Sequence, residues 1–368
     1  MIERISGSKT TILFISSFAS LQGGGQRSLL LLLRTLDRQR FIPRVIVPEQ
    51  GELSQACATL NIPVDSIAFP RLRSGNVFAM YQVVRRLQSL VRSTGARIIH
   101  ADAPRETWYA LPARRSGKTK IVFHARVSDS VKGEDWLLSR MVDAVICVSR
   151  SITRRFSSRG RATIHVVYNS ADPTLFQRPV SHALTGSLRI GYFGRLHPRK
   201  GLPVLIQAVN SVGAGVTCII KGSGDLAYEQ QLHGLAGAGI SFRPYSPDAS
   251  PEMAAVDAVV LPDRGGEGLS RMLIEAMALG KAVIASDFSE NREVFGEELR
   301  EWLFPAGDAP ALAERLQVLM RQREQLVRLA ALTRQRAQRL FQAEKNTRQI
   351  EQVYEQLLGP ASEEAVHA

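Results

Sequence analysis

Cysteine is scarce in this chain of 368 residues, and the three present, Cys57, Cys147 and Cys218, are far apart among apolar neighbours. That spacing offers neither a disulfide framework nor a zinc site, so a reducing, cytoplasmic compartment is expected. Long apolar runs are missing too. The run Leu29–Leu33 falls far short of the roughly 20 residues that span a bilayer. The apolar stretch Thr11–Leu21 leads into three glycines and an amphipathic segment without a small-x-small cleavage pattern, and it reads as a buried first strand rather than a leader. Aromatics make up 7% of the chain and are not interleaved with its basic residues, which weighs against a nucleic-acid-binding protein. Acidic residues are short relative to basic ones, 34 against 47, for a net charge of +13. The deficit is local: residues 1–180 hold 27 Lys+Arg and 12 Asp+Glu, net +15, and the remainder is net −2.

What the chain does have is apolar content of 45% and a repeating grammar. Short β-branched runs alternate with helical periodicity, the pattern of parallel sheets covered on both faces, and the length favours two such domains. Strands are expected at 12–16, 44–47, 97–100, 121–124, 144–148 and 163–167, then at 189–193, 216–221, 240–242, 258–261 and 282–286. The α/β reading gives a first Rossmann-like domain over 1–175, a linker over 176–186, a second over 187–344, and a flexible tail over 359–368. A helix at 345–358 is expected to complete the first domain. Residues 309–341 read as helical, with the apolar stripe broken at Arg323. Two doubly wound domains facing each other would form a cleft at their strand ends, where such folds bind ligands.

Three segments carry candidate chemistry. Glycines between a strand and a helix let backbone N–H groups approach a phosphate, and the helix N-terminus favours negative charge. Gly23-Gly24-Gly25 and Gly222-Ser223-Gly224 qualify, although neither completes a dinucleotide fingerprint or a Walker loop. Gly194-Arg195 and Lys200-Gly201 follow an expected strand, so two cations five residues apart can meet a diphosphate, one as a planar fork and one as a point charge. Finally, Glu267 and Glu275 bracket the start of a helix. Their carboxylates can accept hydroxyls at either end of a cradle made by the N–H groups of Gly268, Leu269, Ser270 and Arg271. No metal-ligand cluster is evident.

The Glu267-to-Glu275 segment resembles the Glu-x7-Glu signature of retaining nucleotide-sugar glycosyltransferases of family 4. The other motifs fall in that family's order: Gly23–Gly25, His124 closing a strand, Asp143–Ser149, Val167–Asp172, Gly194-Arg195 with Lys200-Gly201, and Gly307-Asp308. The resemblance implies the GT-B fold of two facing Rossmann-like domains and a metal-independent hexosyl transfer without a cofactor. It further implies that Arg195 and Lys200 bind the donor diphosphate, Glu275 takes the ribose hydroxyls, Glu267 orients the donor sugar, and His124 reaches that sugar from the other domain. Gly24, Gly25, Gly194, Gly222, Gly268, Leu269 and Ser270 would line the donor. Ser270 stands where the family often has a second Gly, and Asp287–Glu293 replaces a Gly-Gly pair, which leaves the donor sugar open.

In such enzymes the first domain holds the acceptor, so its positive charge suits a glycan, lipid-linked or acidic acceptor, or an anionic membrane surface met peripherally. The expected activity is transfer from a UDP- or GDP-sugar in polysaccharide, lipopolysaccharide or glycolipid biosynthesis. A GT-B epimerase or phosphorylase and a non-catalytic sugar-nucleotide-binding module compete with it. The paired carboxylates with paired cations favour transfer.

Overall fold

The structure is a computed structural model that describes residues 9–72, 75–129, 133–156, 160–180, 186–265 and 268–359. It divides into two compact units, the first made of the described residues of Met1–Tyr168 and Ala343–Ala368, the second of those of Asn169–Gln342. In the first unit the strands are β1 (Thr10–Ile15), β2 (Phe41–Val47), β3 (Val64–Ser66), β4 (Ile98–Ala101), β5 (Lys120–Ala125), β6 (Ala144–Cys147) and β7 (Thr163–Val166). They form one sheet in the order β3-β2-β1-β4-β5-β6-β7, with every pairing parallel.

The second unit contains β8 (Leu188–Phe193), β9 (Val216–Lys221), β10 (Ile240–Arg243), β11 (Ala258–Leu261), β12 (Ala282–Ser286) and β13 (Leu303–Phe304). These are ordered β10-β9-β8-β11-β12-β13, again all parallel. Strand order reverses between β1 and β4 in one unit and between β8 and β11 in the other. In open sheets of this kind the loops leaving such a reversal part to opposite faces and leave a crevice for ligand.

Parallel strands are reached only through crossovers, so helices cover both faces and the strands are apolar throughout rather than alternating. Ile12 to Ile15 and all of β12 are buried. The helix Gly24–Thr35 buries all five leucines from Leu29 to Leu33, more than one amphipathic face would, because it has two partners. It lies in the core around β1 and β2, and the final helix, Ala343–Leu358, packs on it through Ile350, Val353 and Tyr354. Asp37 N–H donates to Glu351 Oε1 of that helix at 2.8 Å.

The place of the linker is corrected, and two short strands are added. The chain crosses between units at 168/169 and returns at 342/343 rather than through a linker over 176–186. The segment after Tyr168 is held by the second unit: Ala171 N–H donates to Phe341 O, and the short helix Pro173–Gln177 packs on the helix Arg271–Ala278. As the break at Arg323 led one to expect, the stretch from residue 309 is helical and interrupted there: Ala309–Arg321 and Arg323–Leu340 part at Gln322. The first packs on the helix Leu202–Val212 and the second on Arg271–Ala278 and β12, so their apolar stripes face different partners. Strands β3 and β13 were missed because two or three residues are too few to show a period. The expected tail lies beyond Gly359, outside the described residues.

The packing of the last helix is testable. Ile350→Ala should lower the stability of the first unit by about 2–4 kcal/mol. The urea midpoint of Trp108 and Trp136 fluorescence in a Trp302→Phe background reads this directly. An unchanged midpoint would show that the helix contributes nothing to that core.

Candidate functional site

The second unit's candidate residues gather on the loops that leave β8, β9 and β11. Gly194 N–H donates to Lys221 O at 2.9 Å and Leu196 N–H to Ser223 O at 2.8 Å, so the β8 and β9 loops continue the pairing beyond the strands. A Cβ on Gly222 would collide with Gly194 O, and one on Gly224 with Leu196 O. Gly222, read as a phosphate contact, therefore has a packing reason of its own. Arg195 is exposed on the β8 loop, with its carbonyl fixed by the Tyr192 hydroxyl at 2.9 Å.

Lys200 closes a single 3-10 turn, Pro198–Lys200, which His197 caps by accepting Arg199 N–H. Its ammonium donates to Asp263 Oδ2 at 2.7 Å, and Asp263 is buried on the β11 loop. The two loops are also joined by Arg264 N–H to Arg199 O, and a Cβ on Gly201 would collide with Pro262 O. A buried carboxylate thus sets where Lys200 sits, and a pair of this kind is costly to break from one side.

The helix Arg271–Ala278 starts beside these loops, because Phe193 N–H reaches Met272 Sδ at 3.0 Å. Gly268 has a φ of +73°, a left-handed turn that a side chain would strain. Leu269 is buried, and Ser270 is the N-cap without a side-chain capping bond, so the first-turn N–H groups lack intrahelical acceptors. Glu275 accepts the Arg271 guanidinium at 2.8 and 3.2 Å, both groups being largely buried. Glu267 lies outside the described residues. At the end of β12, Asp287 pairs with Arg292, whose hydrogen bond holds the carboxyl below its ordinary range.

In the first unit Gly23 is the N-cap of the helix Gly24–Thr35, and Gly24 and Gly25 are its first residues. A Cβ on Gly25 would sit 3.4 Å from Arg126 Cδ, so this helix start lies against a nearly buried guanidinium. Arg126 in turn bonds Asp102 Oδ1 at 3.1 and 3.2 Å. His124, at the end of β5, is buried, with Nδ1 3.0 Å from His100 Nε2, while His100 Nδ1 is 2.7 Å from the Tyr354 hydroxyl. Burial pushes His100 down to about 3, and Arg126 adds to this; burial and then Arg126 and His100 hold His124 well below its ordinary value. Both rings are neutral. The ligand atoms of His100, Asp102 and His124 lie within 4.8 Å of one another, a spacing that a metal ion could use. The Arg126 charge already sits on Asp102 and disfavours a second cation there.

Asp263, Arg126, His100, Asp102 and Tyr354 escaped the sequence reading. Each owes its place to the fold: Asp102, Arg126 and Asp263 follow a strand end by one or two residues, and Tyr354 arrives from a helix 254 positions after His100. A buried acid, or a pair of histidines on adjacent strands, has no local spacing to announce it.

Solved structures share this architecture. A glycosyltransferase from Rickettsia africae ESF-5 matches at a TM-score of 0.83 and 16% identity, covering 96% of this chain and all of that one. HepE from Anabaena, solved with UDP and glucose, matches at 0.75 and 21%, covering 93% and 98%. The two parallel-sheet units are thus those of the GT-B class. The family models agree: Glycosyltransferase Family 4 matches residues 22–175, and Glycosyl transferases group 1 matches 187–322. The chain belongs to this glycosyltransferase family.

Among curated relatives, a phosphatidyl-myo-inositol mannosyltransferase from Mycobacterium leprae is 38% identical over 151 residues, 38% of this chain and 40% of that protein. The lipopolysaccharide core biosynthesis mannosyltransferase LpsB of Rhizobium meliloti is 26% identical over 259 residues, 66% and 73% of the two chains. The chain spans about half or less of the length of the first relatives it matches.

The neutral histidines give a pH prediction. A histidine lowered in the folded state stabilises above its unfolded value, near 6.5, and that stability is lost as pH falls toward the folded value. Between pH ~6.5 and ~4.5 the thermal midpoint should therefore fall more steeply in the parent chain than in His100→Gln. Parallel slopes would show that His100 protonates freely in the folded chain.

Proposed function

We propose that this protein transfers a sugar from a UDP- or GDP-sugar to a hydroxyl of a glycan or lipid-linked acceptor, with retained configuration and without a metal. The observation that carries the reading is the β8 and β11 loop pair. It holds Lys200 against Asp263, exposes Arg195 on the same loop, and opens the Arg271–Ala278 helix N-terminus beside them. In transfer the bond from the anomeric carbon to the diphosphate breaks and the bond to the acceptor oxygen forms, while the acceptor proton leaves with the phosphate side. Negative charge grows on the leaving oxygen, and fixed cations and N–H dipoles are worth most where charge develops.

By accepting one hydrogen of the Lys200 ammonium, Asp263 fixes where that positive charge lies. Glu275 would receive ribose hydroxyls, and the Arg271 guanidinium orients it until they arrive. Glu267 would orient the donor sugar and His124 would contact it. Support comes from the UDP and glucose bound by the fold relative HepE and from the mannosyltransferase relatives.

The basic first half fits an acceptor held at an anionic surface. No helix among the described residues is long and apolar enough to cross a membrane. The helix Val77–Thr94 instead leaves Val77, Phe78 and Tyr81 exposed, with Arg85, Arg86 and Arg92 further along it. Apolar tips with a cationic flank suit peripheral docking.

Lys200→Ala and Glu275→Gln should each lower turnover roughly a hundredfold or more, the scale of losing a charge-stabilising donor. UDP or GDP should raise the thermal midpoint of the parent chain more than ADP does. Normal transfer by both variants would overturn the site. Phe78→Ser with Tyr81→Ser should reduce co-sedimentation with vesicles containing phosphatidylglycerol and leave transfer to a soluble acceptor unchanged. Equal co-sedimentation would remove this helix from the docking surface.

A further inference from the structure

Three buried rings, Tyr354 of the last helix, His100 near the end of β4 and His124 near the end of β5, form one hydrogen-bonded chain in that order. His100 and Tyr354 are fully buried and His124 is 3% exposed. The chain ends at His124 Nε2, which is buried and has no hydrogen-bond partner. A buried polar atom left unsatisfied is costly, so an orphan at a strand end beside a switch point calls for a ligand atom.

The direction of the protons along the chain can be worked out. Burial and the carboxylates of Asp102 and Glu351 raise the Tyr354 phenol well above its ordinary value, so it keeps its proton. His100 Nδ1 is its hydrogen-bond partner at 2.7 Å. If His100 carried its proton on Nδ1, the phenol proton would be buried without an acceptor, at the full desolvation cost of a donor. Nδ1 therefore accepts, and the neutral ring bears its proton on Nε2. Asp102 Oδ1, 3.8 Å from that nitrogen, favours the same tautomer. The Nε2–H then points to His124 Nδ1 at 3.0 Å, which must accept in turn. A neutral His124 has one place left for its proton, Nε2.

We propose that Tyr354 and His100 are positioning residues that fix His124 as an Nε2–H donor, whose acceptor is a hydroxyl oxygen of the bound sugar substrate. The proposal rests on the glycosyl-transfer reading for the identity of that oxygen, but not for the tautomer. It also gives the last helix a role in the site: its return to the first unit supplies the phenol that starts the chain. Both ring nitrogens that could turn toward a metal carry hydrogens, so the cluster of His100, Asp102 and His124 serves an oxygen acceptor rather than a cation.

Long-range proton–nitrogen NMR of the full chain labelled with nitrogen-15 histidine tests this, with rings assigned by single His→Gln variants. The parent should show His124 and His100 as neutral Nε2–H tautomers near neutral pH, unshifted by added zinc. Tyr354→Phe should leave the thermal midpoint close to the parent, mix the tautomers of both rings, and lower kcat roughly five- to tenfold at unchanged donor KM. His100→Gln, whose amide can still donate to His124 Nδ1, should keep the Nε2–H form that His100→Leu loses. A proton on His124 Nδ1 in the parent, a zinc-shifted spectrum, or Tyr354→Phe with unchanged tautomers and turnover would each overturn the proposal. The spectra need no substrate, so a chain that transfers no sugar would defeat the functional reading and leave the tautomer result standing.

Discussion

A parallel strand cannot reach its neighbour through a tight turn, and that constraint organises both units. Every connection must cross a face of the sheet, so each sheet is covered on both sides and its strands become continuous apolar runs. The same constraint sends all the strand C-termini to one end. The chain then has one edge per unit where loops, helix starts and polar side chains can collect. Among the described residues, His124, Asp102, Arg126, Lys200, Asp263 and Glu275 all lie at such ends or on the helices that follow them. Their polarity is tolerable there because it is paired: Lys200 with Asp263, Glu275 with Arg271, Asp102 with Arg126.

The two edges use charge differently. In the second unit, carboxylates with little exposure hold cations in place beside the backbone donors of a helix start. In the first, neutral rings are joined in series and a single guanidinium sits against the start of the helix Gly24–Thr35. One edge carries paired charges and the other mainly neutral hydrogen-bonding rings. Other basic residues of the first half, among them Arg85, Arg86 and Arg92, lie exposed on the helix Val77–Thr94.

Much of this was legible in the sequence. Strand identities from Ile12 to Ala282 followed from β-branched runs, and a series of motifs in order pointed to the family, because backbone requirements such as the left-handed turn at Gly268 leave a mark on the chain. Other features left no mark. Gly222 looked like a phosphate contact, yet its missing Cβ is explained by the neighbouring carbonyl of Gly194. The crossing between units looked like a Pro- and Ser-rich linker, yet the chain changes units earlier, because residues 171–177 satisfy their backbone and packing on the second unit.

What the sequence by itself determined was the class of the fold, the order of its elements and the glycine and charge motifs of the loops, since all of these depend on residues close together in the chain. Only the tertiary structure decided which carboxylate holds Lys200, which guanidinium lies against Gly25, and that Tyr354 stands behind His100 and His124. Those contacts join residues tens to hundreds of positions apart, and their partners are chosen by strand order and helix packing rather than by spacing. A hydrogen-bond chain also has a direction, and here it starts at the buried Tyr354 phenol, which the last helix brings to His100.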